Sequence, residues 1–190
     1  GTVQPTNATG STFTIYGSGY TQAAGTFQGG AYTMNLYSTD FNNGNFTITG
    51  GTFNAASTTQ FSNYRSTYDV ASTATFDNVT INKMNGQYLR ISAGDTMVVT
   101  GTLTLTDGSF DSTGIIDARG NITQASTFDG GSATIDFGND SVAQTYTING
   151  GIGPNVRYDS AADANDTIVM NAAGGIYGLT LASGFSGTLQ

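Results

Sequence analysis

Asn-Gly and Asp-Gly pairs recur along this chain at a near-constant interval, and that interval limits the fold more than any other feature. The pairs begin at Asn43, Asn85, Asp107, Asp129 and Asn149. Their starts fit a unit of about 21 residues, with one pair missing near Tyr64. Asn171 continues the series one unit further on. A second column keeps phase with the first. Thr59, Thr80, Thr102, Thr123, Thr145, Thr167 and Thr188 follow one another at the same interval.

Within a unit, glycine marks finer corners. Gly94, Gly101, Gly108, Gly114 and Gly120 recur at every sixth or seventh position. Three such sides close one coil, which is the geometry of a three-sided parallel β-solenoid. Each corner needs a residue that accepts positive φ. Gly does so freely, and Asn and Asp do so better than most. Period-two alternation in Thr12-Phe13-Thr14-Ile15, Thr102-Leu103-Thr104-Leu105-Thr106 and Thr145-Tyr146-Thr147-Ile148 supplies the half-buried strands. The expectation is one all-β domain over residues 1–190, with about nine coils. Ile81, Leu103, Ile122, Tyr146, Ile168 and Leu189 are placed on one inner wall, and Phe110, Ile116, Ile135 and Phe137 on the others. Residues 55–75 fit the repeat least well and are expected to bulge from the coil. An antiparallel sandwich is the competing fold, because Asn-Gly is also a hairpin signal. It gives no reason for a Thr column in phase along the whole chain.

Composition excludes several chemistries. The chain has no His, Cys or Trp, and all 13 acidic residues are Asp. Imidazole triads, thiolate nucleophiles and zinc knuckles are therefore ruled out. Five basic residues against a net charge of -8 exclude a nucleic-acid partner. No apolar run is long enough for a helical membrane span, so no membrane insertion is expected. Neither Gly1-Thr2-Val3-Gln4 nor Gly187-Thr188-Leu189-Gln190 resembles a natural start or cap. A segment of a larger chain or a filament subunit, associating end to end, is expected.

Four candidate chemistries remain. Asp95, Asp117, Asp140 and Asp163 recur at about the coil period, and stacked carboxylates would form an edge suited to a hard cation such as Ca²⁺. The competing reading is that turns simply favour Asp, with no cofactor. The Thr column resembles the Thr-x-Thr ranks of flat ice-binding solenoids. In the column found here, only Thr102/Thr104 and Thr145/Thr147 form the pair, and β-branched residues suit strands in any case. Asp117 and Arg119 are two apart on one strand face, yet nothing forces a cleft or a raised carboxyl pKa, so no enzyme is expected. Ten Tyr residues, crowded in the first half, could bind glycans or pack in the core.

The stretches Phe76-Asp77-Asn78-Val79-Thr80-Ile81-Asn82-Lys83 and Thr100-Gly101-Thr102-Leu103-Thr104-Leu105-Thr106-Asp107-Gly108-Ser109-Phe110 resemble repeats of large bacterial surface proteins. These are secreted β-solenoid adhesins of the filamentous-haemagglutinin and autotransporter-passenger style. The resemblance implies an extracellular, cell-surface setting and a structural or adhesive role. A glycan- or surface-binding module is the alternative. The resemblance carries over no catalytic residue.

Overall fold

A computed structural model describes residues 1–5, 10–40, 44–71, 73–137, 143–158, 166–181 and 188–190. Among the described residues there are 20 strands and no helix. The strand pairings are parallel, each strand joining the equivalent strand of the next coil. Parallel neighbours require a long crossover, and here the crossover is the rest of the coil. The fold is therefore a parallel β-solenoid.

The longest side runs through Thr12–Tyr16, Thr26–Ser38, Thr52–Asn63, Asn78–Lys83 and Leu103–Asp111. It continues through Ile122–Gly131, Thr145–Ile148, Thr167–Met170 and Thr188–Leu189. A second side includes Gly19–Gln22, Asn45–Ile48, Ser66–Val70 and Tyr88–Ile91. The third includes Ala74–Phe76, Thr96–Val99, Ile115–Ala118 and Thr134–Phe137.

The stack makes about seven turns rather than nine. Rungs on one side outnumber the turns that close between them. The coils are also unequal, so the repeat seen in the sequence is an average. Leu103 pairs with Ile122, which closes a short coil, whereas Ile122 pairs with Tyr146 across a longer one. The coil from Thr33 to its partner Thr58 is longer still. Such long coils use up the chain in fewer turns. The described residues between 55 and 75 do not bulge. They supply most of Thr52–Asn63 and all of Ser66–Val70, and Ala56, Phe61, Tyr68 and Val70 are buried.

The corners depend on glycine. Gly44, Gly86, Gly108, Gly130 and Gly150 all have positive φ. In each Asn-Gly or Asp-Gly pair, then, the second residue takes the left-handed conformation. The pair missing near Tyr64 is replaced by Asn63, which itself sits at φ 68. Its Nδ2 donates to the Ser38 carbonyl at 2.7 Å, tying one coil to the next.

The core is a set of inward ladders. One runs Met34, Thr59, Val79, Leu103, Ile122, Tyr146 and Ile168 from coil to coil. Ile81 belongs to the adjacent ladder, with Phe61 and Leu105. In backbone register, Leu189 follows Ile168. Phe110, Ile116, Ile135 and Phe137 are buried on the remaining walls. In the first half, aromatic rings fill the interior. Tyr20, Phe46 and Tyr68 are ladder neighbours with stacked rings, their centroids 5.2 and 5.6 Å apart. Each buried ring of this kind contributes about 1.5–3 kcal/mol.

Thr59 is the flaw in that core. It is fully buried, and its hydroxyl has no hydrogen-bond partner among the described residues. An unpaired buried hydroxyl costs about 1–3 kcal/mol. Thr59→Val keeps the branched shape and removes the hydroxyl. Urea unfolding should show the variant more stable by about 1 kcal/mol; equal or lower stability would contradict the inward placement.

Candidate functional surface

The outer face of the longest side carries two polar ranks. The first reads Thr12, Thr33, Thr58, Asn78, Thr102, Asn121, Thr145, Thr167 and Thr188. The second reads Thr14, Asn35, Gln60, Thr80, Thr104, Thr123, Thr147 and Val169. No rung in either rank is charged. Successive rungs lie about 4.8 Å apart, and the two ranks about 7 Å apart.

This register redistributes the Thr column read from the sequence. Thr102, Thr145, Thr167 and Thr188 share the first rank, Thr80 and Thr123 stand in the second, and Thr59 points into the core. The cause is again unequal coil length, which a constant period averages away. The correct register also fills the ranks more evenly than the column did. Thr-x-Thr pairs stand at Thr12/Thr14, Thr102/Thr104 and Thr145/Thr147, on coils that are not neighbours. The amides of Asn35, Gln60, Asn78 and Asn121 lie between them, and Asn78 and Asn121 bind backbone. Their Oδ1 atoms accept from the amides of Thr102 and Thr145 at 2.8 and 2.9 Å. A continuous hydroxyl lattice does not form.

The acidic residues divide. Asp95 accepts from the Val70 amide at 2.9 Å, so it acts as a corner cap. Asp117 lies on a different rank, between Val98 and Asp136. It receives Arg119 at 2.7 Å, and Asp136 receives Arg157 from the next coil. Arg90 and Asp111 form a similar pair across coils at 2.5 Å. The shared cation edge thus breaks between Asp95 and Asp117, while Asp140 and Asp163 lie outside the described residues. No group of three or more potential metal-binding side chains occurs among the described residues. Asn85, Asn149 and Asn171 lie just outside strands, whereas Asp107 and Asp129 lie within Leu103–Asp111 and Ile122–Gly131, Asp107 beside a register shift in the ladder; Asn43 lies outside the described residues. Asn171 donates to Asn149 at 3.1 Å, so these two corners stack.

No family model matches this chain, and no curated protein or solved structure matches it.

Inside the corners is a set of polar groups that periodicity gave no means to find. Gln22 donates to the carbonyls of Gly25 and Thr52, both at 3.0 Å. Gln124 donates to the Gly150 carbonyl at 2.7 Å and accepts from the Tyr146 hydroxyl at 2.6 Å. Gln144 donates to the carbonyls of Ala118 and Gly120 at 2.9 and 3.1 Å. Lys83, the sole lysine, is fully buried. Its Nζ donates to the carbonyls of Ser62 and Tyr64 and to Ser66 Oγ, at 3.2, 2.8 and 2.8 Å. The one sequence signal was a cation at an alternating strand's inward position.

Burial lowers the Lys83 pKa from 10.5 to about 7. Between those values the unfolded chain binds more protons than the folded one, so stability rises with pH. The contribution is complete above pH 10.5 and is lost as pH falls through 7. Denaturant unfolding at pH 7 and pH 9 should differ by about 2 kcal/mol, with pH 9 the more stable. Lys83→Met should abolish that difference, whatever its effect on absolute stability. A pH-independent wild type would contradict the placement.

Proposed function

We propose that this chain is a structural and adhesive rod of an extracellular bacterial surface, either a length of stalk or a subunit that stacks end to end. One observation carries this reading: the longest side keeps a parallel ladder from Thr12 to Thr188. A parallel stack has stiffness along its axis because every coil is held to the next by backbone hydrogen bonds and buried side chains.

The two ends of the described stack support the same reading. Phe13 is partly exposed yet lies in ladder register with buried Met34. Leu179 is partly exposed and registers with buried Val156. Among the described residues each of these core positions has a ladder partner on one side only, and a further coil would cover it. The extracellular setting comes from the resemblance to secreted solenoids. The uncharged Thr/Asn face is compatible with a long-lived, well-hydrated surface.

Nine rungs at about 4.8 Å make a rod of roughly 40 Å. Small-angle scattering across a concentration series tests the reading. The expected result is a constant cross-section, with length growing by about one 40 Å unit at a time. Ordered fibres in electron micrographs would agree. A compact particle at every concentration, with no growth in length, would overturn the self-assembling form. A cross-section inconsistent with a rod would overturn both forms.

A further inference from the structure

A shallow groove of about 280 Å³ crosses the outer face of the longest side. Its lining includes Asn35, Tyr37, Gln60, Asn82 and Asp107. Asn35 and Gln60 are consecutive rungs of the second polar rank. Tyr37, Ser62, Asn82 and Asp107 are consecutive rungs of the next rank along the strand. The groove thus spans four coils and runs along the axis. At one end Tyr16, 67% exposed, lies against Tyr37 with ring centroids 5.4 Å apart.

From this arrangement we infer that the groove binds a neutral oligosaccharide laid along the rod. The spacing suits one. Each coil advances about 4.8 Å, close to the length of one pyranose unit in an extended glycan, so successive rungs can meet successive sugars. The chemistry also suits one. The side chains of Gln60 and Asn82 make no hydrogen bond to the protein among the described residues. Each amide offers donors and an acceptor together, which matches adjacent sugar hydroxyls. Asp107 uses Oδ1 to accept from the Gly108 amide at 2.7 Å, leaving its other oxygen to the groove. Tyr16 and Tyr37 provide aromatic faces for the C–H side of a sugar ring.

Charge argues against an anionic ligand. Lys83 is the cation bordering the groove, and its Nζ is turned inward onto Ser62, Tyr64 and Ser66. The groove carries Asp107, and the chain's net charge is -8. An apolar peptide is also a poor match, since amides, a carboxylate and hydroxyls dominate the lining.

The test is calorimetric titration of the intact chain with cellotetraose, chitotetraose and mannotetraose, and with a sulfated tetrasaccharide as the anionic comparison. At least one neutral glycan should bind with a Kd below about 10 mM, and the sulfated one should bind more weakly. Tyr16→Ala and Gln60→Ala should each weaken binding about tenfold with an unchanged melting temperature. Tyr177→Ala, which removes a somewhat more exposed tyrosine outside the groove, should leave binding unaltered. The inference is overturned if none of the neutral glycans binds, if the sulfated glycan binds more tightly, or if both groove variants bind like wild type. Scattering measures the rod independently, so failure here would leave the rod reading standing.

Discussion

The structure depends on how each coil turns its corners. A coil of about 21 residues must bend three times around a thin apolar interior. At each bend some backbone carbonyls leave the ladder and point inward, where water cannot reach them. A buried carbonyl without a partner costs about as much as a lost hydrogen bond. Gln22, Gln124 and Lys83, from inward strand positions, and Gln144, from the buried position just before Thr145–Ile148, answer that need by reaching to corner carbonyls. Gln22 and Gln124 each bond the backbone of a following coil, whereas Gln144 and Lys83 bond the backbone of a preceding one. The polar groups of the core therefore fix the vertical register that the apolar ladders alone would leave free to slip.

Glycine solves the steric half of the same problem. At Gly131, φ is 123°, and a Cβ would stand 1.9 Å from the Phe110 carbonyl oxygen. Coil-to-coil approach at that corner leaves no room for any side chain. The Asn or Asp before each corner glycine has a different task, as Asp107 shows by holding the next amide.

The solenoid class was legible because corners and strands have distinct chemistries that repeat together. The inner positions of Leu103, Ile122, Tyr146 and Ile168 were legible for the same reason. Exact register was not. The coil that Leu103 and Ile122 close is shorter than average, and the one that Ile122 and Tyr146 close is longer. A constant period therefore drifts against the true pairing, and a two-position slip in a strand preserves its inside-outside pattern. That is why Thr80 and Thr102 seemed to share a column although they occupy different ranks. Thr59 misled more seriously, because its type belongs outside while its position is inside. The tyrosines divide by position. Tyr20 and Tyr68 belong to the interior stack, whereas Tyr16 stands exposed beside Tyr37. The groove was hidden because it joins residues from four coils that only the true register brings together.

In a solenoid, each outward rank advances by one coil at a time along a single axis. Spin labels test this directly, because the chain has no cysteine and every label site can be chosen. Thr14 and Thr104 are four rungs apart, and Thr14 and Thr147 are six. Pulsed electron resonance should report backbone separations of about 19 and 29 Å, in proportion to rung number. A Thr14–Thr147 distance equal to or shorter than Thr14–Thr104, as in a sandwich that folds back on itself, would contradict the account.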